Sequence, residues 1–152
     1  METLKMIHSR KAIRKYSGQL NDKQLHQIIL AANAAPVSLG SYDDYRLTVI
    51  QDQQVLSQIT GIYNAPTLIV VSAKDPTKSE YVSAGAIVHN MELAAEDQGL
   101  GANYNMGSIH LIPSTVLPSG FTALFALTVG QTSEVFTPKE ISDDRIKSNI
   151  VK

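Results

Sequence analysis

The sequence predicts an α+β fold, a layered sheet with helices on its faces, and three observations carry that reading. Leu25, Ile28, Ile29 and Ala32 recur at i, i+3, i+4 and i+7, the spacing of a helix that buries one face. Thr67-Leu68-Ile69-Val70-Val71-Ser72 is a continuous, β-branched run, as expected of a strand buried on both faces. Other helical and strand patterns interleave with these two along the chain. The short connections after residues 45 and 59 leave parallel and antiparallel pairings both open.

In chain order, residues 2–8 read as a short helix with Leu4 and Ile7 on one face, followed by the basic stretch Arg10-Lys11-Ala12-Ile13-Arg14-Lys15 and a break at Gly18. Asn21 is a good N-cap for the helix that carries Leu25 and Ala32, and Pro36 closes it. After a loop over residues 37–45, Leu47 and Val49 alternate with Thr48 and Ile50 as a strand, and Asp52 can cap a short helix through Ile59. The run beginning at Thr67 lies between Pro66 and Asp75-Pro76 and is expected to be central. Residues 79–98 carry Ile87, Met91, Ala94 and Ala95 at helical spacing, with Ala84, Gly85 and Ala86 small enough to admit another helix, and Gly99 is a natural stop. Residues 111–116 suggest a helical turn, residues 123–129 form a last apolar strand ended by Gly130, and the tail from Gln131 is mostly polar.

At 152 residues and 43% hydrophobic content the chain closes one core, so residues 1–152 are read as one domain. Thirteen lysines and arginines against 14 aspartates and glutamates leave no overall positive field to concentrate nucleic acid or an anionic membrane. Cysteine is absent, which removes disulfides, thiolate metal sites and cysteine nucleophiles together and fits a reducing compartment. The N-terminus lacks an apolar signal region, and nowhere do 18 apolar residues run uninterrupted. A soluble, cytoplasmic protein is expected.

Two segments could carry chemistry. Lys5, Arg10, Lys11, Arg14 and Lys15 cluster in an otherwise nearly neutral chain. Arg10 and Arg14, four apart, could grip one phosphate from adjacent turns, because the guanidinium fork matches phosphate oxygens bidentately; the competing reading is a solvated charged face. The small-residue segment Gly99-Leu100-Gly101-Ala102-Asn103-Tyr104-Asn105-Met106-Gly107 follows a helix and has Tyr104 in the third glycine position, so it is not a dinucleotide fingerprint. It offers either an exposed Gly107 amide for a flat ring or a glycine cap followed by an edge strand. His8, His26, His89 and His110 lack metal-site spacing with carboxylates. No G-x-S-x-G elbow exists, and Ser119-Gly120 reads as a turn. The adjacent pairs Asp43-Asp44, Glu96-Asp97 and Asp143-Asp144 diverge in direction and are read as solvated.

Four segments in order resemble the nitroreductase family: Ser9-Arg10-Lys11-Ala12-Ile13-Arg14-Lys15-Tyr16, Ala34-Ala35-Pro36, Ala65-Pro66-Thr67-Leu68-Ile69-Val70-Val71, and Ala94-Ala95-Glu96-Asp97-Gln98-Gly99-Leu100-Gly101, closed by Val129-Gly130. The resemblance covers nearly the whole chain, which is short for that family. It departs at Ala12, where a serine is common, and at Gly40 and Tyr42-Asp43, where an asparagine and a glutamine-proline pair often stand.

The resemblance implies a homodimeric three-layer α/β/α sandwich with a mixed, mainly antiparallel sheet and FMN between the subunits. Arg10, Lys11, Ala12 and Arg14 would line the phosphate, with Lys139 completing that site and Arg145 or Lys147 in reserve. Pro36, Val37, Ser38, Leu39 and Gly40 would pack on the flavin from the other subunit. The main chain of Asn105, Met106, Gly107 and Ser108 would face the reactive side of the ring. The implied reaction is ping-pong, from NAD(P)H through flavin to a nitroaromatic, quinone or similar acceptor, with no acid or base side chain required. Two other readings stand beside it: a non-catalytic FMN-binding protein for storage or sensing, and a dimerisation module whose basic cluster is surface.

Overall fold

The computed structural model describes residues 2–152. Helices α1 (Thr3–Ser9), α2 (Asp22–Asn33), α3 (Gln53–Leu56) and α4 (Lys78–Asp97) alternate with strands β1 (Tyr45–Ile50), β2 (Thr67–Lys74), β3 (Leu100–Asn105) and β4 (Phe121–Gln131). Short 3-10 turns lie at Ser38–Gly40, Tyr42–Asp44, Ile109–Leu111 and Ser114–Val116.

The strands form one sheet in the order β1-β2-β4-β3, and all three pairings are antiparallel. The mixed sheet of the expectation is therefore not found among the described residues. The topology explains why: β2 and β3 run the same way, but α4 carries β3 past the neighbouring position and β4 fills the gap between them. As expected, β2 is an inner strand. Its Ile69, Val71 and Ala73 join the core beneath α2 and α4, with Ile28, Val88 and Met91. Its Leu68 and Val70 join a second cluster on the other face, with Leu56, Ile59, Ile62 and Ile112. A continuous apolar run was needed because both faces are covered.

Local chemistry fixes the ends of the elements. Asn21 and Gln24 form a reciprocal capping box at α2, and Thr77 and Glu80 do the same at α4. Gly99 ends α4 with a positive φ of 73° that an L side chain adopts only at a cost. Asp52 caps α3 as expected, its carboxylate accepting from the amides of Gln54 and Val55. That helix stops at Leu56 rather than reaching Ile59, because the chain turns there and sends Ile59 and Ile62 into the second cluster. Gly130 does not end β4. It pairs with Gly101 inside the strand, and a Cβ at Gly130 would lie 2.7 Å from Pro66. Of the three small residues on α4, Ala84 is buried in the core whereas Gly85 faces open space, with no helix among the described residues packed on it. No helix among the described residues is long and apolar enough to cross a membrane.

Candidate functional site

The basic stretch leaves α1 at once. Arg10 has φ −53° and ψ 131°, outside the helical region, so Arg10 and Arg14 do not stand on adjacent helical turns as expected. The chain instead runs beside β3 and the end of β4, where the Ile13 amide donates to Ala102 O at 2.9 Å and the Ser17 amide to Gln131 O at 2.8 Å. Glycine at 101 permits that approach, since a Cβ there would lie 2.6 Å from Ile13 Cγ2. Ile13 is buried, and the cations around it turn to different partners. Arg10 Nη1 donates to Glu92 Oε1 at 3.1 Å. Lys11 Nζ donates to Glu134 Oε2 at 2.6 Å and lies 5.8 Å above the Phe136 ring. The Arg14 guanidinium sits 5.8 Å from the centre of the Tyr63 ring. Lys139 Nζ donates to the Arg10 carbonyl at 2.7 Å and its amide to the His8 carbonyl, which straps the tail over the end of α1. Ala12 contributes only a half-buried methyl.

Tyr63 also lines a cleft of about 530 Å³ at the end of β3, together with Tyr104, Asn105, Met106, Gly107 and Ser108. Arg14 therefore stands at its rim. The turn after β3 is held from inside: the Ser108 amide donates to Asn105 Oδ1, Asn105 Nδ2 to Gly61 O, and the Ser108 hydroxyl to Thr60 O. Asn105 and Ser108 are buried by these bonds, while Met106 and Gly107 are exposed. A Cβ at Gly107 would meet nothing within 4 Å. Of the two readings left open for Gly99–Gly107 by the sequence, the glycine cap followed by an edge strand is found, and the exposed Gly107 is found with it.

The sequence missed a buried polar group beneath this region. Glu92 and Glu96 are 2% and 4% exposed, so the reading of Glu96 as solvated is overturned. His89, read as unpaired with carboxylates, lies three residues before Glu92 with Nδ1 3.9 Å from Oε2, and it shares a hydrogen bond with the Tyr104 hydroxyl. Burial, then the Glu92 charge, pushes the Tyr104 phenol above its usual range. Burial also pushes the Tyr16 phenol up to about 12, against a hydrogen bond with Thr128 that lowers it. A signal was present: Ala84, Val88, Glu92 and Glu96 recur every four residues, so the glutamates continue the buried stripe of α4.

Pro36, Val37 and Ser38 lie elsewhere, against the exposed Val82 and buried Ser83 near the start of α4, and the Ser38 amide donates to Ser83 Oγ at 3.0 Å. Leu39 is 98% exposed and Gly40 borders open space. The structure thus brings together the Arg14 and Gly107 segments, with Arg10 and Lys139 beside one another nearby, and leaves residues 36–40 apart from that cleft. Arg145 and Lys147 are exposed in the tail.

Residues 56–109 match the model of the nitroreductase family. A "Putative NADH dehydrogenase/NAD(P)H nitroreductase" of Archaeoglobus fulgidus is 34% identical over 115 residues, spanning 66% of this chain and 65% of that protein. The chain thus spans just under two thirds of the length of this curated relative. A nitroreductase family protein from Clostridium difficile superposes with a TM-score of 0.80 at 21% identity, covering 100% of both chains. A nitroreductase with bound FMN from Bacteroides fragilis gives 0.79 at 18% identity, also over 100% of both. Residues 56–109 are thus nitroreductase-family sequence, and the chain as a whole has the nitroreductase fold.

Proposed function

We propose that residues 1–152 form a single FMN-binding domain of the nitroreductase family, an NAD(P)H-dependent oxidoreductase that pairs with a second copy of itself. The observation that carries the reading is the convergence of Arg14 and the turn bearing Gly107 on one cleft through Tyr63. The residues present fit the cofactor. Arg14 has no carboxylate partner among the described residues, Gly107 leaves room for close approach, and two tyrosines flank the space. The name of the Archaeoglobus relative and the FMN in the Bacteroides fragilis structure support the same reading.

In this reading Arg10, Lys11, Ala12, Arg14 and Lys139 hold the phosphate end. The main chain of Asn105, Met106, Gly107 and Ser108 faces the ring. The elements packed on the two faces of the sheet make a three-layer sandwich, and residues 36–40 of a second copy close the other side of the site. When bound, FMN supplies the two-electron redox chemistry. The chain's part is to fix the phosphate with cations, to present amide donors from a turn locked by Asn105 and Ser108, and to exclude water with Tyr63 and Tyr104. NAD(P)H and a flat acceptor, a nitroaromatic or a quinone, take turns in the remaining space.

A second reading, FMN binding without turnover, is favoured by one specific feature. Arg10 and Lys11 already hold Glu92 and Glu134, and Ala12 brings no hydroxyl, so the phosphate meets fewer free donors. One experiment tests both. Purified protein mixed with FMN, then given NADH and NADPH without air, is expected to bleach and to recolour with a quinone. Bound flavin that stays yellow supports storage or sensing, and absence of binding overturns both readings.

A further inference from the structure

Behind Arg10 lie two glutamates that the proposed redox chemistry does not use. Glu92 and Glu96 stand one turn apart on α4 at 2% and 4% exposure, a burial that ionised carboxylates reach only when paired. Among the described residues an arginine salt bridge serves the first alone, Arg10 Nη1 to Glu92 Oε1 at 3.1 Å. Glu92 Oε2 and both Glu96 oxygens are buried without a hydrogen-bond partner of ordinary geometry. The groups facing the pair come from five parts of the chain. Ser9 of α1 and Lys139 of the tail act on Glu96, and Arg10 acts on both carboxyls. His89 of α4, Tyr104 of β3 and Tyr16 of the segment between α1 and α2 face Glu92.

A buried carboxyl one turn from another, with both of its oxygens unpartnered, resists ionisation because its charged form is neither solvated nor paired. Burial first, and the Glu92 charge as well, raise the Glu96 carboxyl above its usual range, against the lowering influence of Ser9, Arg10 and Lys139. The group whose proton affinity the site raises is thus Glu96, which no described cation meets in a salt bridge.

We propose that Glu92 and Glu96 are a proton-holding pair behind Arg10, and that capture of a phosphate-bearing ligand by Arg10 is coupled to proton uptake by this pair. The coupling rests on the reading of Arg10 as part of the phosphate site. Its sign does not depend on how the ligand arrives. A phosphate that shares the guanidinium adds negative charge beside Glu92, and one that draws the guanidinium away leaves Glu92 buried and unpaired. Both raise the pair's affinity for a proton. Affinity for the ligand therefore falls as pH rises through the titration of the pair, by at most about tenfold per pH unit for one proton.

The test is calorimetry of FMN binding near neutral pH in two buffers of different ionisation enthalpy, on the wild type and on Glu96→Gln. Glutamine mimics the protonated carboxyl, so the variant keeps the fold. Carboxyl-carbon NMR of both ligand-free proteins follows the pair without any flavin. The wild type is expected to take up a measurable fraction of a proton more than the variant, and its Kd to weaken several-fold more across about two pH units. The difference between the two proteins removes the ionisation of FMN's own phosphate. One glutamate signal of the ligand-free wild type is expected to titrate above the usual carboxylate range and to be missing from the variant. Equal uptake in the two proteins, or no such signal, overturns the coupling alone. Absence of FMN binding in both overturns it together with the flavin reading.

Discussion

The turn after β3 and the loop after α2 are the two segments expected to meet a flat ring, and the fold treats them in opposite ways. The first is complete in itself. Asn105 and Ser108 bond inward to Gly61 and Thr60, leaving Gly107 as the opening. The second is tied to the body of the molecule by the Ser38 amide on Ser83, while Leu39 stands 98% exposed at a φ of 56°, a left-handed conformation that costs a leucine about 1–2 kcal/mol. Pro36, Val37 and the exposed Val82 add apolar surface beside it. One half of the proposed site is built by the chain's own hydrogen bonds, and the other leaves apolar side chains uncovered. That difference teaches where damage falls: on the fold at the first segment, on assembly at the second.

The largest effect is expected behind the first segment. Glu92→Ala removes the partner of Arg10 and leaves a hole in the α4 face. Arg10, 37% exposed, can turn to water, so the loss comes mainly from the cavity, about 2–5 kcal/mol for truncating a buried side chain of this size; urea denaturation measures it. Gly101→Ala comes next. Its methyl would press on Ile13, and overpacking of this kind costs about 1–3 kcal/mol. If the basic stretch is pushed from β3, flavin affinity should fall together with stability. Arg14→Ala separates the two properties. Arg14 is exposed, so thermal stability is expected to hold, while loss of a charge-assisted bond of about 1.5–3 kcal/mol weakens FMN binding roughly ten- to hundredfold in a fluorescence titration. A drop in stability with unchanged flavin affinity would place Arg14 in the fold rather than in the site.

Stability against pH gives a sharper measure of the same region. The Glu96 carboxyl is raised above its reference value of 4.5, so the native state holds a proton that the unfolded chain releases. Its contribution is therefore full below that reference value and is lost as pH rises through the native titration, at up to about 1.4 kcal/mol per pH unit. Glu96→Gln is expected to flatten that fall in thermal melts taken across the range. A variant with the wild-type slope would assign the slope to another group.

Much of this architecture was legible because local pattern and tertiary environment agree. The Thr67 run reads as a doubly buried strand, Asn21 as a cap and Gly99 as a stop, and each is so. What was hidden depends on contacts between distant residues. Nothing near Arg10 in sequence announces Glu92, 82 residues away, and only the family resemblance set Lys139, 129 residues away, beside it. The α4 glutamates were misread because adjacency of Glu96 and Asp97 suggested solvent, whereas helical period puts Glu96 on the buried stripe and Asp97 outside. Gly130 was read as a strand end because a glycine breaks a pattern, yet here it is demanded by the close passage of Pro66. Of the site, the segments were legible and their convergence was not, since Arg14 reaches the Gly107 cleft through Tyr63, which no motif marked.

The smallest expected change in fold stability lies in the loop and decides whether its exposure has a purpose. Leu39→Gly removes a side chain that touches little and relieves the left-handed backbone, while glycine makes the unfolded chain more flexible. The two effects oppose, so stability of the isolated chain should change by no more than about 0.5–1 kcal/mol. If the leucine is held in that conformation for a second copy, the variant should dissociate at higher concentration in analytical ultracentrifugation and bind FMN more weakly, with Arg14 untouched. Unchanged association and unchanged flavin affinity would instead make residue 39 an ordinary surface position, and the second half of the site would have to be sought elsewhere on the molecule.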